Sequence, residues 1–305
     1  MKITKLIPQG ICKGVARAIT IVNKELKNKS IKKPVYMLGN LVHNKNIMQG
    51  FIDKGVILID DIDKKSAINK ITEGTVIFTA HGISKEIIKI AEEKNLNIID
   101  TTCNDVTKIH SLIDSYIKEN YSVIFLGVSN HPESNAIIND YPVLFITENT
   151  ILDTLPKLKD NIILTNQSTM SYNNVKKIYH LLLKIYPKLI LAAEVCPATR
   201  LRQEALINSN EFADLIVVVG DKLSNNTKML ESIGKKENKK KTILLETVED
   251  LNNYDLSNYQ SCIITSGAST PFAIVHEIIT ALETYDKNIT YTSKLNTEDY
   301  LKLKG

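Results

Sequence analysis

Residues 97–110, NIIDTTCNDVTKIH, set an apolar run, a cysteine and a helical pattern in immediate succession. The same order occurs twice more. IPQGIC precedes KGVARAITIVNKEL over 7–26, and LILAAEVC precedes PATRLRQEALI over 189–207. Cys12, Cys103 and Cys196 therefore stand 91 and 93 residues apart at one kind of strand-to-helix junction. Taken singly, each thiol reads as a small buried hydrophobe. Three at equivalent junctions read as a set.

Two further loops repeat at similar intervals. LGNLVHN (38–44), LGVSNHP (126–132) and VGDKLSN (219–225) place His43, His131 and Ser224 four residues after Gly39, Gly127 and Gly220. TAHGIS (79–84), TNQSTMS (165–171) and TSGASTP (265–271) carry His81, then Gln167, Ser168 and Thr169, then Ser266 and Ser269. Self-similarity at a fixed period is read before any single fold is assigned. It predicts three similar α/β units of about a hundred residues each, an ordinary size for a small domain.

The runs between these loops fix the class. YMLGN, TVIFTA, LNIID, SVIFLG, NIILT, LILAAEV, LIVVVG and SCIITSG are short, continuously apolar and followed by helical periodicity. Strands of that kind belong to parallel sheets covered on both faces by helices. The boundaries fall near 1–102, with the N-terminal strand and Cys12 at the centre, then 103–195 and 196–287, leaving a C-terminal tail at 288–305. In parallel sheets ligands gather at the carboxyl ends of the strands, where all the loop residues just named lie. Three units arranged about a pseudo-threefold axis would bring the three thiols to one point.

Composition narrows the function. The 305 residues are 43% hydrophobic and 24% charged, which is globular. Four cysteines with no C-x-x-C pair exclude a disulfide scaffold, a zinc ribbon and a thioredoxin motif, and fit a reduced cytoplasmic setting. No apolar run approaches a membrane span. The excess of 38 Lys and Arg over 34 Asp and Glu sits largely in GKKENKKK, 234–241, a solvated loop without the interleaved aromatics of a nucleic-acid surface.

Three thiolates without a fourth suit a cubane iron–sulfur cluster with one open iron, and an open position marks a catalytic metal rather than a structural one. Cys262 lies inside SCIITS and reads as core, while His110, His180 and His276 fall in helical segments. His43, His81 and His131, with nearby hydroxyl and amide donors, make a cradle for a diphosphate or similar anion. Glu133, in NHPES, reads either as a proton donor with a raised pKa or as an ordinary acid in the first turn of a helix.

The stretches GICKGVARAI, LVHNKN, FTAHGIS, DTTCNDVTKIH, NHPES, NQSTMS, CPATRLRQEA, SNNT and TSGASTP, in this order, resemble the LytB family of 4-hydroxy-3-methylbut-2-enyl diphosphate reductases over essentially the whole chain. The resemblance implies a trefoil of three α/β domains around one 4Fe-4S cluster held by Cys12, Cys103 and Cys196. It implies an allylic alcohol diphosphate as substrate and isopentenyl and dimethylallyl diphosphate as products. An external ferredoxin or flavodoxin, with its reductase, would supply electrons. By motif position Glu133 would donate the proton, working with the hydroxyl of Ser168. His43, His81, His131, Ser224, Asn225, Asn226 and Ser269 would hold the diphosphate, and Gln167 and Thr169 would line the cavity.

The chain departs from the family pattern at several points. Ser168 stands for a usual Thr, Asn225 for a usual Ser, Leu201 for a common Asn, and NHPESNA lacks both glycines of the usual G-H-P-E-V-x-G. Two rivals share the thiol arithmetic. A non-redox dehydratase predicts an Arg-rich site for a carboxylate substrate. A metal-binding sensor module does not require the His, Ser and Glu residues at strand ends.

Overall fold

A computed structural model of the chain describes residues 1–158, 161–192, 195–209 and 213–303. Its strands are β1 (Lys2–Lys5), β2 (Val35–Leu38), β3 (Val56–Ile59), β4 (Thr75–Phe78), β5 (Asn97–Asp100), β6 (Ser122–Leu126), β7 (Leu144–Ile146), β8 (Ile162–Asn166), β9 (Ile190–Leu191), β10 (Leu215–Val219), β11 (Lys241–Leu245) and β12 (Ser261–Ser266). They form three four-stranded sheets in the orders β3-β2-β4-β5, β7-β6-β8-β9 and β11-β10-β12-β1, and every ladder is parallel. The expected three parallel α/β sheets are therefore present.

The three orders are one order. In each sheet a strand and its successor in sequence lie side by side, the successor at the edge, and the third strand packs on the other flank of the first. In the last sheet the fourth place is filled from the other end of the chain, because β1 pairs with β12, Lys2 opposite Ser261 and Lys5 opposite Ile264. The three loop families of the sequence thus follow the first, third and fourth strand of each sheet. The connections after the first and third strands diverge at a topological switch point, where parallel sheets open a crevice.

The helices are α1 (Lys13–Leu26), α2 (Lys45–Ile52), α3 (Lys64–Asn69), α4 (Lys85–Glu93), α5 (Asn104–Lys118), α6 (Pro132–Asp140), α7 (Tyr172–Leu182), α8 (Pro197–Asn208), α9 (Asn225–Lys236) and α10 (Phe272–Glu283). By packing, the chain divides into two compact units. One comprises Met1–Ile19, Val42–Gly55 and Pro197–Gly305; the other comprises Thr20–Leu41 and Val56–Cys196.

In the first unit the period-2 alternation of a strand sorts the core. Leu215, Val217 and Val219 of β10 pack with Ile274, Ile278 and Leu282 of α10. Ile216 and Val218 face the other way, onto Leu206 of α8 and Leu230 and Ile233 of α9. All five β10 side chains are buried, as a strand covered on both faces must be. Cys262 is fully buried in this core, and burial pushes its thiol up to about 11, so it is the packing residue the sequence indicates.

The second unit holds the other two sheets. Ile124 and Leu126 of β6 meet Val175, Ile178 and Leu182 of α7, while Val123 and Phe125 meet Ile109 and Ile113 of α5 and Ile137 of α6. Leu38, Val76 and Phe78 pack on Ile68 of α3 and Ile87 and Ala91 of α4. In α5 the buried Val106, Ile109 and Ile113 repeat at three and seven residues, the stripe a helix presents to one sheet face.

The structure corrects the sequence reading in two places. The edge strands β3, β7 and β11, each the second strand of its sheet in sequence, are absent from the apolar runs that mark the other strands. The lysine run is not one loop: it spans the last turn of α9, a turn, and the first residue of β11, although Lys235, Lys236, Lys239 and Lys241 are largely solvated. The tail at 288–303 is ordered. Asn252 exchanges two 2.8 Å hydrogen bonds with the backbone of Tyr291, and Glu277 accepts from Ser293 and Lys294. Lys304 and Gly305 lie outside the described residues. Among those described, no helix is long and apolar enough to cross a membrane.

Candidate active site

The cysteines come first because the repeat predicts them. Cys103 caps α5, and Cys12 and Cys196 directly precede α1 and α8. Each cysteine N–H donates to the carbonyl of the second residue past the third strand of its own sheet: Cys12 to Ala268 (2.8 Å), Cys103 to Ala80 (3.0 Å) and Cys196 to Ser168 (3.0 Å). One backbone bond, made three times, sets each thiol beside a loop of the TAHGIS family. All three are free of disulfides and half-buried. Cys12 Sγ accepts a long 3.5 Å contact from the Val15 N–H. Each is a soft, partly exposed sulfur donor, the kind of ligand an iron–sulfur group takes.

A second threefold bond orders the glycine loops. The N–H groups of Gly39, Gly127 and Gly220 donate to the last residue of the neighbouring edge strand, Ile59 (2.9 Å), Ile146 (3.0 Å) and Leu245 (2.9 Å). Beyond the glycines the three loops differ by one residue in length. Asn44 caps α2, His131 caps α6 and Ser224 caps α9. His43, matched by sequence to His131 and Ser224, therefore sits one place before the cap in a longer loop.

In the second unit the side chains converge on Glu133. It lies in the first turn of α6 and is 2% exposed. Its Oε1 accepts the Ser168 N–H at 2.7 Å and its Oε2 accepts Ser168 Oγ at 2.8 Å. Burial disfavours the charged form, Ser168's two donors favour it, and burial wins: the carboxyl is raised from its ordinary 4.5 to about 7. Glu133 is thus a first-turn residue of α6 whose carboxyl burial moves toward neutrality.

His131 supports this acid. Its Nδ1 accepts the Glu133 N–H at 3.2 Å, so Nε2 carries the ring proton of the neutral form and serves as donor. The His81 ring lies edge-on to it, with centroids 5.5 Å apart, and Thr79 Oγ1 is 3.5 Å from His81 Nδ1. Gln167 is wholly buried: its Oε1 accepts from Val128 N–H (2.9 Å) and Ser134 Oγ (3.1 Å), and its Nε2 donates to Thr169 Oγ1 (2.9 Å). The Gln167 amide thus staples the Gly127 loop to the Ser168 loop.

The departures around His131 have local explanations. Asn130 takes φ 61, the left-handed position a glycine commonly fills and Asn tolerates. Ala136 replaces a glycine inside α6, where it is the better helix former. Leu201 lies 49% exposed on α8 and displaces nothing from the core.

In the first unit Ser224 Oγ accepts the Thr227 N–H at 3.4 Å as helix cap, and Ser269 Oγ donates to the His43 carbonyl at 3.0 Å. Asn226 is buried, with Oδ1 accepting from Ala268 N–H (3.0 Å) and Nδ2 donating to Thr199 Oγ1 (3.1 Å). Its amide couples α9 to the loop behind Cys12. Asn225, beside it, is also buried. Two residues that the sequence does not mark join the site here. Arg202 is buried and donates to Ser266 O (3.2 Å), Ala198 O (2.9 Å) and Gly10 O (2.7 Å), and Asp221 spans two loops. Both stand inside recurring motifs; neither repeats in the other sheets, so the threefold comparison cannot single them out.

A family model described as LytB protein matches residues 3–283. The chain belongs to the LytB family. A 4-hydroxy-3-methylbut-2-enyl diphosphate reductase of Bacillus cereus (strain AH820) is 40% identical over 288 residues, covering 94% of this chain and 91% of the relative. One of Bacillus anthracis (strain CDC 684 / NRRL 3495) is 39% identical over the same length. Among solved structures, the E-1-hydroxy-2-methyl-but-2-enyl-4-diphosphate reductase of Plasmodium falciparum aligns with TM-score 0.84 and 31% identity over 98% of this chain and 96% of that one. A second, described as (E)-4-hydroxy-3-methyl-but-2-enyl diphosphate reductase, the terminal enzyme of the non-mevalonate pathway, aligns with TM-score 0.62 and 27% identity over 93% of this chain and 99% of that one. LytB membership implies an iron–sulfur oxidoreductase, and the dehydratase and sensor readings lose their support.

Proposed function

We propose that the chain reduces (E)-4-hydroxy-3-methylbut-2-enyl diphosphate to isopentenyl and dimethylallyl diphosphate, the last step of the non-mevalonate isoprenoid route. Two electrons and two protons enter, the allylic C–O bond breaks, and water leaves. The observation that carries this reading is Ser168, which holds both oxygens of Glu133 and accepts the Cys196 N–H on its own carbonyl. The acid and one thiol loop are joined through a single residue.

Cys12, Cys103 and Cys196 would hold a 4Fe-4S cluster, which when bound supplies electrons one at a time and an iron with an open position. The protein's own residues do the rest. Glu133, protonated to a useful degree near neutral pH, delivers a proton to the departing oxygen, and the Ser168 hydroxyl keeps its carboxyl aimed. His43, His81, His131, Ser224 and Asn225 offer donors to the diphosphate, joined by Ser269 once its hydroxyl leaves the His43 carbonyl, so binding energy remote from the reacting bond orients it. Gln167, Thr169 and Asn226 act mainly by fixing the loops that carry those donors, because their side chains already bond within the protein. Electrons come from an external ferredoxin or flavodoxin in the cytoplasm.

The test is anaerobic: the chain, loaded with iron and sulfide, is given reduced methyl viologen and the allylic diphosphate. Formation of both five-carbon diphosphates supports the reading. A fully loaded protein that yields neither contradicts it.

A further inference from the structure

We propose that Asp221 is a positioning residue that locks two diphosphate-binding loops into one register. The inference rests on the reductase reading for the assignment of His43, Ser224 and Ser269 to the diphosphate; the clamp itself rests on geometry.

Asp221 follows Gly220 at the end of β10 and is 5% exposed. Its two oxygens serve different segments. Oδ2 accepts the Lys45 N–H at 2.9 Å, the first residue of α2, and Oδ1 accepts the Leu223 N–H at 2.7 Å, one residue before Ser224. The Asp221 carbonyl also accepts the Ser224 N–H at 3.0 Å. His43 is therefore held on both sides: Ser269 Oγ donates to its carbonyl, and the peptide N–H two residues on is fixed by Asp221. The three loops that bear the first unit's candidate donors meet in this pair of bonds.

The chemistry explains why the residue is an acid. Both partners are N–H donors, so the clamp needs two acceptor atoms at fixed separation, which a carboxylate has and an amide lacks. Its two hydrogen bonds go to backbone donors, while the Lys45 ammonium, which also feels its charge, bonds Glu246 at 2.8 Å. A buried carboxylate near an anion-binding loop carries an electrostatic cost, offset here by the positive ends of α2 and α9 and by charge-assisted bonds. The arrangement fixes donor spacing and leaves the reacting bond untouched, so its signature is in binding.

The experiment compares wild type with Asp221→Asn and Asp221→Ser, each loaded with iron and sulfide. It reads KM and kcat for the allylic diphosphate and the Kd for inorganic pyrophosphate by calorimetry. In both variants KM and the pyrophosphate Kd should rise about tenfold, the effect of losing one charge-assisted bond, while kcat stays within about threefold. Glu246→Gln, which removes the charge facing Lys45 but keeps an amide oxygen for the Lys222 N–H and leaves both Asp221 bonds in place, should change either quantity less than about twofold. Unchanged pyrophosphate affinity in both Asp221 variants overturns the proposal. So does loss of folding or of the iron load in both, which would make Asp221 a purely structural residue. If wild type itself neither binds pyrophosphate nor turns over, the reductase reading fails instead.

Discussion

Ser168 donates to Glu133 twice, from its N–H to Oε1 at 2.7 Å and from Oγ to Oε2 at 2.8 Å, and so opposes the burial that raises this carboxyl to about 7. The acid's proton affinity is the balance of those two effects. Its consequences can be measured separately.

The first concerns the pH–rate profile. Protonated Glu133 is the competent form, so kcat should fall as pH rises through about 7. Ser168→Ala removes one donor to the carboxylate and raises the pKa further, which moves the alkaline limb up by roughly half to one pH unit while lowering the plateau. Ser168→Thr keeps both donors and should leave the limb in place. A limb that moves down in the alanine variant contradicts the assignment.

Glu133 also makes stability depend on pH. With a folded pKa of about 7 against an ordinary 4.5, the folded chain retains a proton between those values that the unfolded chain has lost. Stability therefore decreases as pH rises across that window, by up to roughly 3 kcal/mol. Glu133→Gln has no such dependence there, so its Tm should gain on wild type from pH 4.5 to about 7, the span set by those two pKa values. Parallel Tm curves for the two proteins would speak against a raised pKa.

His131 has two tasks that substitution can divide. Its Nδ1 caps α6, which leaves Nε2 as the ring's donor atom. His131→Asn retains a cap and loses the donor, so pyrophosphate affinity should drop with little change in Tm. His131→Ala loses both and should cost about 1 kcal/mol more in stability. Calorimetry with pyrophosphate and thermal melts distinguish the two effects.

The thiols divide in the same way. Cys103→Ser should lose the iron load and its visible absorption in a chain that still folds. Cys262→Ala, in the core of the last sheet, should keep the iron and cost roughly 1–2 kcal/mol of stability. Iron retained in full by the Cys103 variant sinks the ligand assignment.

Whatever the chain repeats is legible in its sequence. The cysteine junctions, the glycine loops and the continuous run LIVVV all appear where periodicity puts them, because a strand buried on both faces has to be apolar throughout. The edge strands escape detection for a physical reason. β3 and β7 are short and half-exposed, so backbone pairing rather than apolar pattern creates them. β1, KITK, is mostly exposed and owes its place to β12. In the site, spacing matches His43 to a cap that belongs to Asn44, since a one-residue difference in loop length leaves no mark on composition. Asp221 and Arg202 act through main-chain partners far away in sequence, which spacing cannot reveal.

The most direct measurement is a side-by-side anaerobic single turnover of wild type and Glu133→Gln, matched for iron and sulfide and for pyrophosphate affinity. The account predicts both five-carbon diphosphates from wild type and a stalled reaction, at least about a hundredfold slower, from the variant. Equal rates would show that the buried carboxyl held by Ser168 is not the proton source, and would contradict the account at its centre.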